Sequence, residues 1–173
     1  ATKEIVSLLE PIPLPIPLLA VQAWLADYYA SRPALVWRTM LPSGLTKKRR
    51  AAPTVTTSPR RHSQAITLNS SQQHAVKTIL RTPCGTHLLH GVTGSGKTAV
   101  YIELAKHTIA AGRSVIILVP EIALTPQLVA EFTPHFDQVR VTHSTMTEAA
   151  RHTLWQTVLR VSAPQVIVGP RIA

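Results

Sequence analysis

Eight consecutive residues, Gly91-Val92-Thr93-Gly94-Ser95-Gly96-Lys97-Thr98, constrain this chain more than any other feature. They fit the pattern G-x-x-x-x-G-K-[ST], with a third glycine at Gly94. Such a run belongs between a strand and a helix. Its glycines let the backbone wrap so that successive N–H groups converge on phosphate oxygens, and the helix N-terminus adds partial positive charge. Lys97 is placed to reach the β- and γ-phosphates of a nucleoside triphosphate, and the Thr98 hydroxyl to ligate Mg²⁺. A turn that served the fold alone would not require Lys97-Thr98.

The flanks supply that setting. Asn69 or Ser70 caps a predicted helix running through Arg81, with Ala75, Val76, Ile79 and Leu80 on its buried side. Thr86–His90 reads as a short buried strand, and a helix follows from about Lys97 to Ala111, closed by Gly112. Ser114–Val119 is a continuous apolar strand. Thr125–Phe136 suits a helix with Pro126 in its first turn. Val139–Thr142, Thr147–Arg160 and Gln165–Val168 read as strand, helix and strand. Strands alternating with helices predict an α/β fold with a parallel sheet covered on both faces.

Upstream the pattern differs. Residues 18–30 carry Val21, Trp24, Leu25 and Tyr28 at helical spacing, a stripe expected to face a core. Prolines 11, 13, 15 and 17 predict an extended path before it. Residues 46–67 read as a flexible linker with a basic cluster at Lys47-Lys48-Arg49-Arg50.

Lysine and arginine total 18 against 8 aspartate and glutamate, a net charge of +10. The excess is shared across the chain, and it suits a polyanionic partner such as nucleic acid. A single cysteine, Cys84, excludes an internal disulfide framework and a multi-cysteine zinc site. The apolar stretch Ile12–Ala20 is broken by prolines and lacks a basic leader. No membrane span or signal peptide is expected, and the reading is cytoplasmic.

Hydrolysis needs a carboxylate to hold the metal and a group to orient water. After Thr98 the acids are Glu103, Glu121, Glu131, Asp137 and Glu148. Glu121 follows the apolar strand, yet Pro120 stands where an aspartate should be. The expectation is therefore that the metal-holding acid lies past Ala173 and that the chain is a fragment of a longer protein.

At this point a resemblance becomes specific. Leu88–Thr98, then Val119-Pro120-Glu121-Ile122-Ala123-Leu124-Thr125-Pro126-Gln127, resemble the primosomal protein N′ family, the PriA-type replication-restart helicases. So do His143-Ser144, the pair Arg151 and Trp155, and Val168-Gly169-Pro170-Arg171-Ile172-Ala173. Leu68-Asn69-Ser70-Ser71-Gln72 is similar to the adenine-reading Q-motif of that family, and Trp24–Tyr29 to the end of its N-terminal DNA-binding domain. Ala99, His135, Pro170 and Ile172 depart from the family pattern. A winged helix has no room between Pro42 and Leu68.

The resemblance implies a RecA-like P-loop NTPase lobe over residues 68–173, incomplete before its Walker B acid. It also implies the end of a DNA-binding domain over 1–45, with the basic linker between them. It implies an ATP-dependent, 3′-to-5′ superfamily 2 DNA helicase in replication restart and primosome assembly, associated with the nucleoid. The fragment alone is not expected to hydrolyse ATP. ATP and Mg²⁺ are the implied cofactors, with zinc held only by a region further downstream. The implied partners are single-stranded and forked DNA and primosome proteins. Gln72 would read adenine, having both a donor and an acceptor. Thr125, Gln127, Gly169 and Arg171 would meet the DNA backbone. Two alternatives stay open. One is a nucleotide-binding DNA module without hydrolysis, the other a P-loop NTPase or kinase acting on something other than DNA.

Overall fold

The computed structural model describes residues 13–42, 66–82, 84–120 and 126–170, the side chain of Gln127 apart. The basic cluster, Glu121, Thr125 and Arg171 lie outside these, as does the linker up to residue 65. The chain divides into two compact units, residues 1–55 with 145–162 and residues 56–144 with 163–173.

The first unit holds α1 (Ile16–Tyr28), α2 (Pro33–Met40) and, from later in the chain, α6 (Glu148–Arg160). Pro17 stands in the first turn of α1 and not on an extended path. A proline is tolerated there because the early N–H groups of a helix have no internal acceptor. The stripe expected to face a core is largely exposed at Val21, Trp24 and Tyr28, and the buried residue of α1 is Gln22. Helices of 13 and 8 residues offer each other too little surface to cover three large side chains. The aromatics shield one another instead. Trp24 stacks on Tyr28 at 5.1 Å, and Tyr28 meets Tyr29 edge-on at 4.9 Å. Thr147 caps α6, its hydroxyl accepting from Ala150 N–H.

The second unit is α/β. It contains α3 (Ser70–Arg81), α4 (Lys97–Ala110), β1 (Val115–Val119), α5 (Pro126–Phe132), β2 (Val139–Val141) and β3 (Val166–Pro170). The three strands form one parallel sheet in the order β1-β3-β2. Val166 and Val168 of the central strand are fully buried with Val139, and Ile109, Val115, Ile117, Phe136 and Val141 pack around them. These side chains lie on one face of the sheet, since Val166 and Val168 are two residues apart and pair with Val115, Ile117, Val139 and Val141.

Two expectations about strands fail here. Residues 86–90 form no ladder with the described sheet, and Leu88 is 92% exposed. Apolar character alone does not make a strand, because its backbone groups need a neighbour. β1 lies at the edge of the described sheet, and Ile116 (67% exposed) and Leu118 (65%) stand on the face opposite the buried cluster, so the strand alternates where continuous burial on both faces was expected. A groove of about 420 Å³, lined by β1, α4, Leu128 and Phe132, runs beside it.

Local signals fix the helix ends. Asn69 caps α3 through a reciprocal capping box with Gln72. α4 stops at Gly112, whose N–H bonds Ile109 O at 2.9 Å. α5 ends at Phe132, and a 3₁₀ turn, Thr133–His135, follows. Pro134 has no N–H to continue the α-helical ladder. Phe132 is 1% exposed and stacks on Phe136. Phe132→Ala should cost about 3–5 kcal/mol in denaturant unfolding, and Phe132→Leu under about 1.5 kcal/mol.

Candidate nucleotide-binding site

The loop after His90 folds as its glycines dictate. Ser95 N–H donates to Val92 O at 3.2 Å, closing a turn. Gly96 then takes φ +76°, ψ +29° as the residue that opens α4. A side chain is disfavoured in that left-handed region. No side chain caps α4 at this end. The N–H groups that begin α4 are therefore the donors an anion would take up, at the positive end of the helix dipole.

Lys97 is held back over the loop. Its Nζ donates to Gly91 O at 2.7 Å and Val92 O at 2.9 Å. Both acceptors are neutral carbonyls, so a phosphate oxygen can replace either with a stronger bond in which both partners are charged. A Cβ at position 91 would lie 2.7 Å from Ser95 Oγ, so the Ser95 hydroxyl would have to turn away to admit a side chain there.

Thr93, Gly94, Gly96, Lys97, Thr98 and Ala99 line one side of a cleft of about 1330 Å³. The cleft is also lined by Ile66, Ile102, Pro120, Ala130, Glu131, Pro134 and His135. Its volume exceeds what a small ligand needs. Thr98 offers the hydroxyl that would hold Mg²⁺ beside bound phosphates. Glu131 brings one carboxylate to the cleft. Among the described residues no group of three or more His, Cys, Asp or Glu is placed to hold a metal. A cation here would take most of its ligands from the triphosphate and water, which is how Mg²⁺ usually binds.

Ile66, Glu131 and His135 were not singled out as cleft residues in the sequence. Spacing could not have found the last two, since α5 ends at Phe132 and His135 lies in the 3₁₀ turn beyond it. Gln72 was read as facing adenine. In the structure its Nε2 donates to Ser95 O at 3.1 Å, and its Oε1 accepts from Asn69 N–H at 2.9 Å.

The strands of a parallel sheet share one carboxyl edge, and ligands gather there in open α/β folds. Val119 pairs with Pro170, and Val141 with Val168, so Pro120, Thr142–His143 and the end of β3 emerge together. The residues read as DNA contacts follow these ends. Gly169 sits in β3, and α5, which carries Gln127, follows β1. Gly169 also has a packing reason to be glycine, since a Cβ would run into Thr142 Cγ2.

Residues 65–165 match the family described as type III restriction enzyme, res subunit. The chain is 42% identical over 114 residues to a replication restart protein PriA of Synechocystis, covering 64% of this chain and 14% of the relative. It is 44% identical over 87 residues to the PriA of Bacillus subtilis, 50% of this chain and 11% of that one. With the PriA of Treponema pallidum it shares 32% over 157 residues, 90% of this chain and 24% of the relative. The chain thus spans at most about a quarter of the length of these three relatives.

The cleft has a pH signature. Burial, and secondarily the charge of Lys106, push the His135 pKa below the usual 6.5, with Glu103 opposing. The unfolded chain therefore binds more protons than the folded one between the folded value and 6.5. The stability contributed by neutral His135 is complete above 6.5 and is lost as pH falls through the folded value. Between about pH 7.5 and 5.5, wild type should lose more unfolding stability than His135→Gln. Equal losses would remove His135 as the cause.

Proposed function

For a chain that belongs to the family of the type III restriction enzyme res subunit, we propose the ATP-binding part of a DNA helicase motor of the replication-restart kind. The observation that carries the reading is Lys97, poised over the loop carbonyls at the uncapped start of α4, in a cleft that Pro120 at the end of β1 also lines. Triphosphate at the loop and a DNA strand at the sheet's carboxyl edge would then be neighbours, as a motor requires. The PriA similarity and the +10 charge support DNA as the polymer.

In this reading Lys97 neutralises the β- and γ-phosphates, the amides of residues 91–98 orient them, and Thr98 holds Mg²⁺. Thr125, Gln127, Gly169 and Arg171 face the DNA backbone, Arg171 by charge and Thr125 by hydroxyl. The whole protein translocates 3′-to-5′ and assembles with primosome proteins in the cytoplasm, at the nucleoid. Among the described residues no helix is long and apolar enough to cross a membrane. Residues 1–45 would close a DNA-binding domain, and 68–173 begin the motor lobe.

A second reading, nucleotide binding without turnover, draws support from the cleft. Glu131 is its one described carboxylate, where hydrolysis needs both a metal-holding acid and a group that orients water. The two readings agree for this chain by itself and part only for the whole protein.

The test is titration calorimetry with a non-hydrolysable ATP analogue and Mg²⁺, beside a phosphate-release assay with single-stranded DNA. The chain should bind the analogue, and Lys97→Ala should weaken binding at least about tenfold, from the loss of charged hydrogen bonds. Phosphate release should stay at background. Unchanged affinity in Lys97→Ala contradicts the site, and robust turnover contradicts the missing acid.

A further inference from the structure

Gln72 is expected from the resemblance to read the base, and in the structure one N–H and one lone pair of its amide bond the protein. Oε1 accepts the Asn69 N–H within the capping box of α3, which fixes which end of the amide points where. Nε2 is then directed across a sequence separation of 23 residues to the carbonyl of Ser95, at 3.1 Å. The approach is close. A Cβ on Gly96 would stand 2.5 Å from Gln72 Nε2.

The consequence follows from peptide planarity. Ser95 C=O and Gly96 N–H belong to one planar trans unit and point in opposite directions. A Ser95 carbonyl turned to Gln72 sends the Gly96 N–H away from Gln72. With the carbonyl released, the plane is free to rotate through ψ of Ser95 and φ of Gly96, and the glycine at 96 offers little resistance. The loop has no other side chain among the described hydrogen bonds that fixes this peptide; Lys97 holds the carbonyls of Gly91 and Val92 instead.

We infer that Gln72 is a positioning residue for the phosphate loop, tying the first turn of α3 to the Ser95–Gly96 peptide and so aiming an amide at the triphosphate whatever base it carries. The inference rests on the proposed triphosphate site and changes what Gln72 does there. Base reading through Gln72 would affect ATP alone. A latch affects every ligand that puts phosphates in the loop, a ligand with no base included.

Gln72→Met keeps the length of the side chain, adds no charge, and removes both the latch and half of the cap. Val76→Ala controls for loss of α3 stability, since Val76 is buried in that helix and is not a loop or cleft residue. Titration calorimetry with Mg²⁺ and inorganic tripolyphosphate, ATP or GTP is the readout. Gln72→Met should weaken all three by the same factor, roughly three- to tenfold for one neutral hydrogen bond. Val76→Ala, at a comparable drop in melting temperature, should leave all three unchanged.

Two results overturn the latch. One is unchanged tripolyphosphate affinity in Gln72→Met with a selective loss of ATP, which makes Gln72 a base reader. The other is an equal loss in Val76→Ala, which makes the effect one of helix stability. Tripolyphosphate binding to wild type no tighter than to Lys97→Ala contradicts the triphosphate site itself, a failure distinct from either.

Discussion

Gly96, in the left-handed region at φ +76°, turns the chain from the glycine-rich loop into α4. A β-carbon in that conformation costs about 1–2 kcal/mol in backbone strain, and here it would also collide with the Gln72 amide. Three other features follow from the turn. It starts α4 with uncapped N–H groups directed at the cleft, and it brings Lys97 back over the carbonyls of Gly91 and Val92. It also leaves the Ser95 carbonyl within reach of α3. The chemistry assigned to the loop depends on all three.

The sheet does the complementary work. β3 sits between β1 and β2 with Val166 and Val168 buried on one face, and the parallel register brings the three carboxyl ends together. Gly169 near the end of β3 lets the strand pass against Thr142. Pro120, following β1, reaches the cleft that the phosphate loop lines. A ligand at the loop and one at the sheet edge would therefore share a boundary, which is the property a nucleotide-driven DNA motor needs. The match to the restriction-enzyme res-subunit family covers residues 65–165, which include the loop, β1 and β2.

What the sequence made legible is what local chemistry decides. The phosphate loop, the Asn69 cap, the stop at Gly112, Pro126 at the start of α5 and Thr147 before α6 each depend on residues within one helical turn. Misread features depend on distant partners. Thr86–His90 is apolar enough for a strand, but no described strand pairs with it. β1 has the composition of a central strand and the place of an edge. Trp24 and Tyr28 keep a helical stripe that α2 is too short to cover. Pro134 is a different case, since its missing N–H was visible and marks the end of α5. So was the spacing from Asn69 to Gln72, a capping-box signature that the structure forms.

The central claim is that triphosphate binds through the backbone of the loop and the first turn of α4. Two-dimensional amide NMR of the whole chain, titrated with Mg²⁺ and a non-hydrolysable ATP analogue, tests it at the atoms concerned. The account predicts that the largest shifts fall on the N–H signals of Gly94, Gly96, Lys97 and Thr98. Smaller shifts should reach Gln72, and α1 and α2 should be unmoved. Largest shifts outside residues 91–98, with those four signals unchanged at saturation, would contradict it.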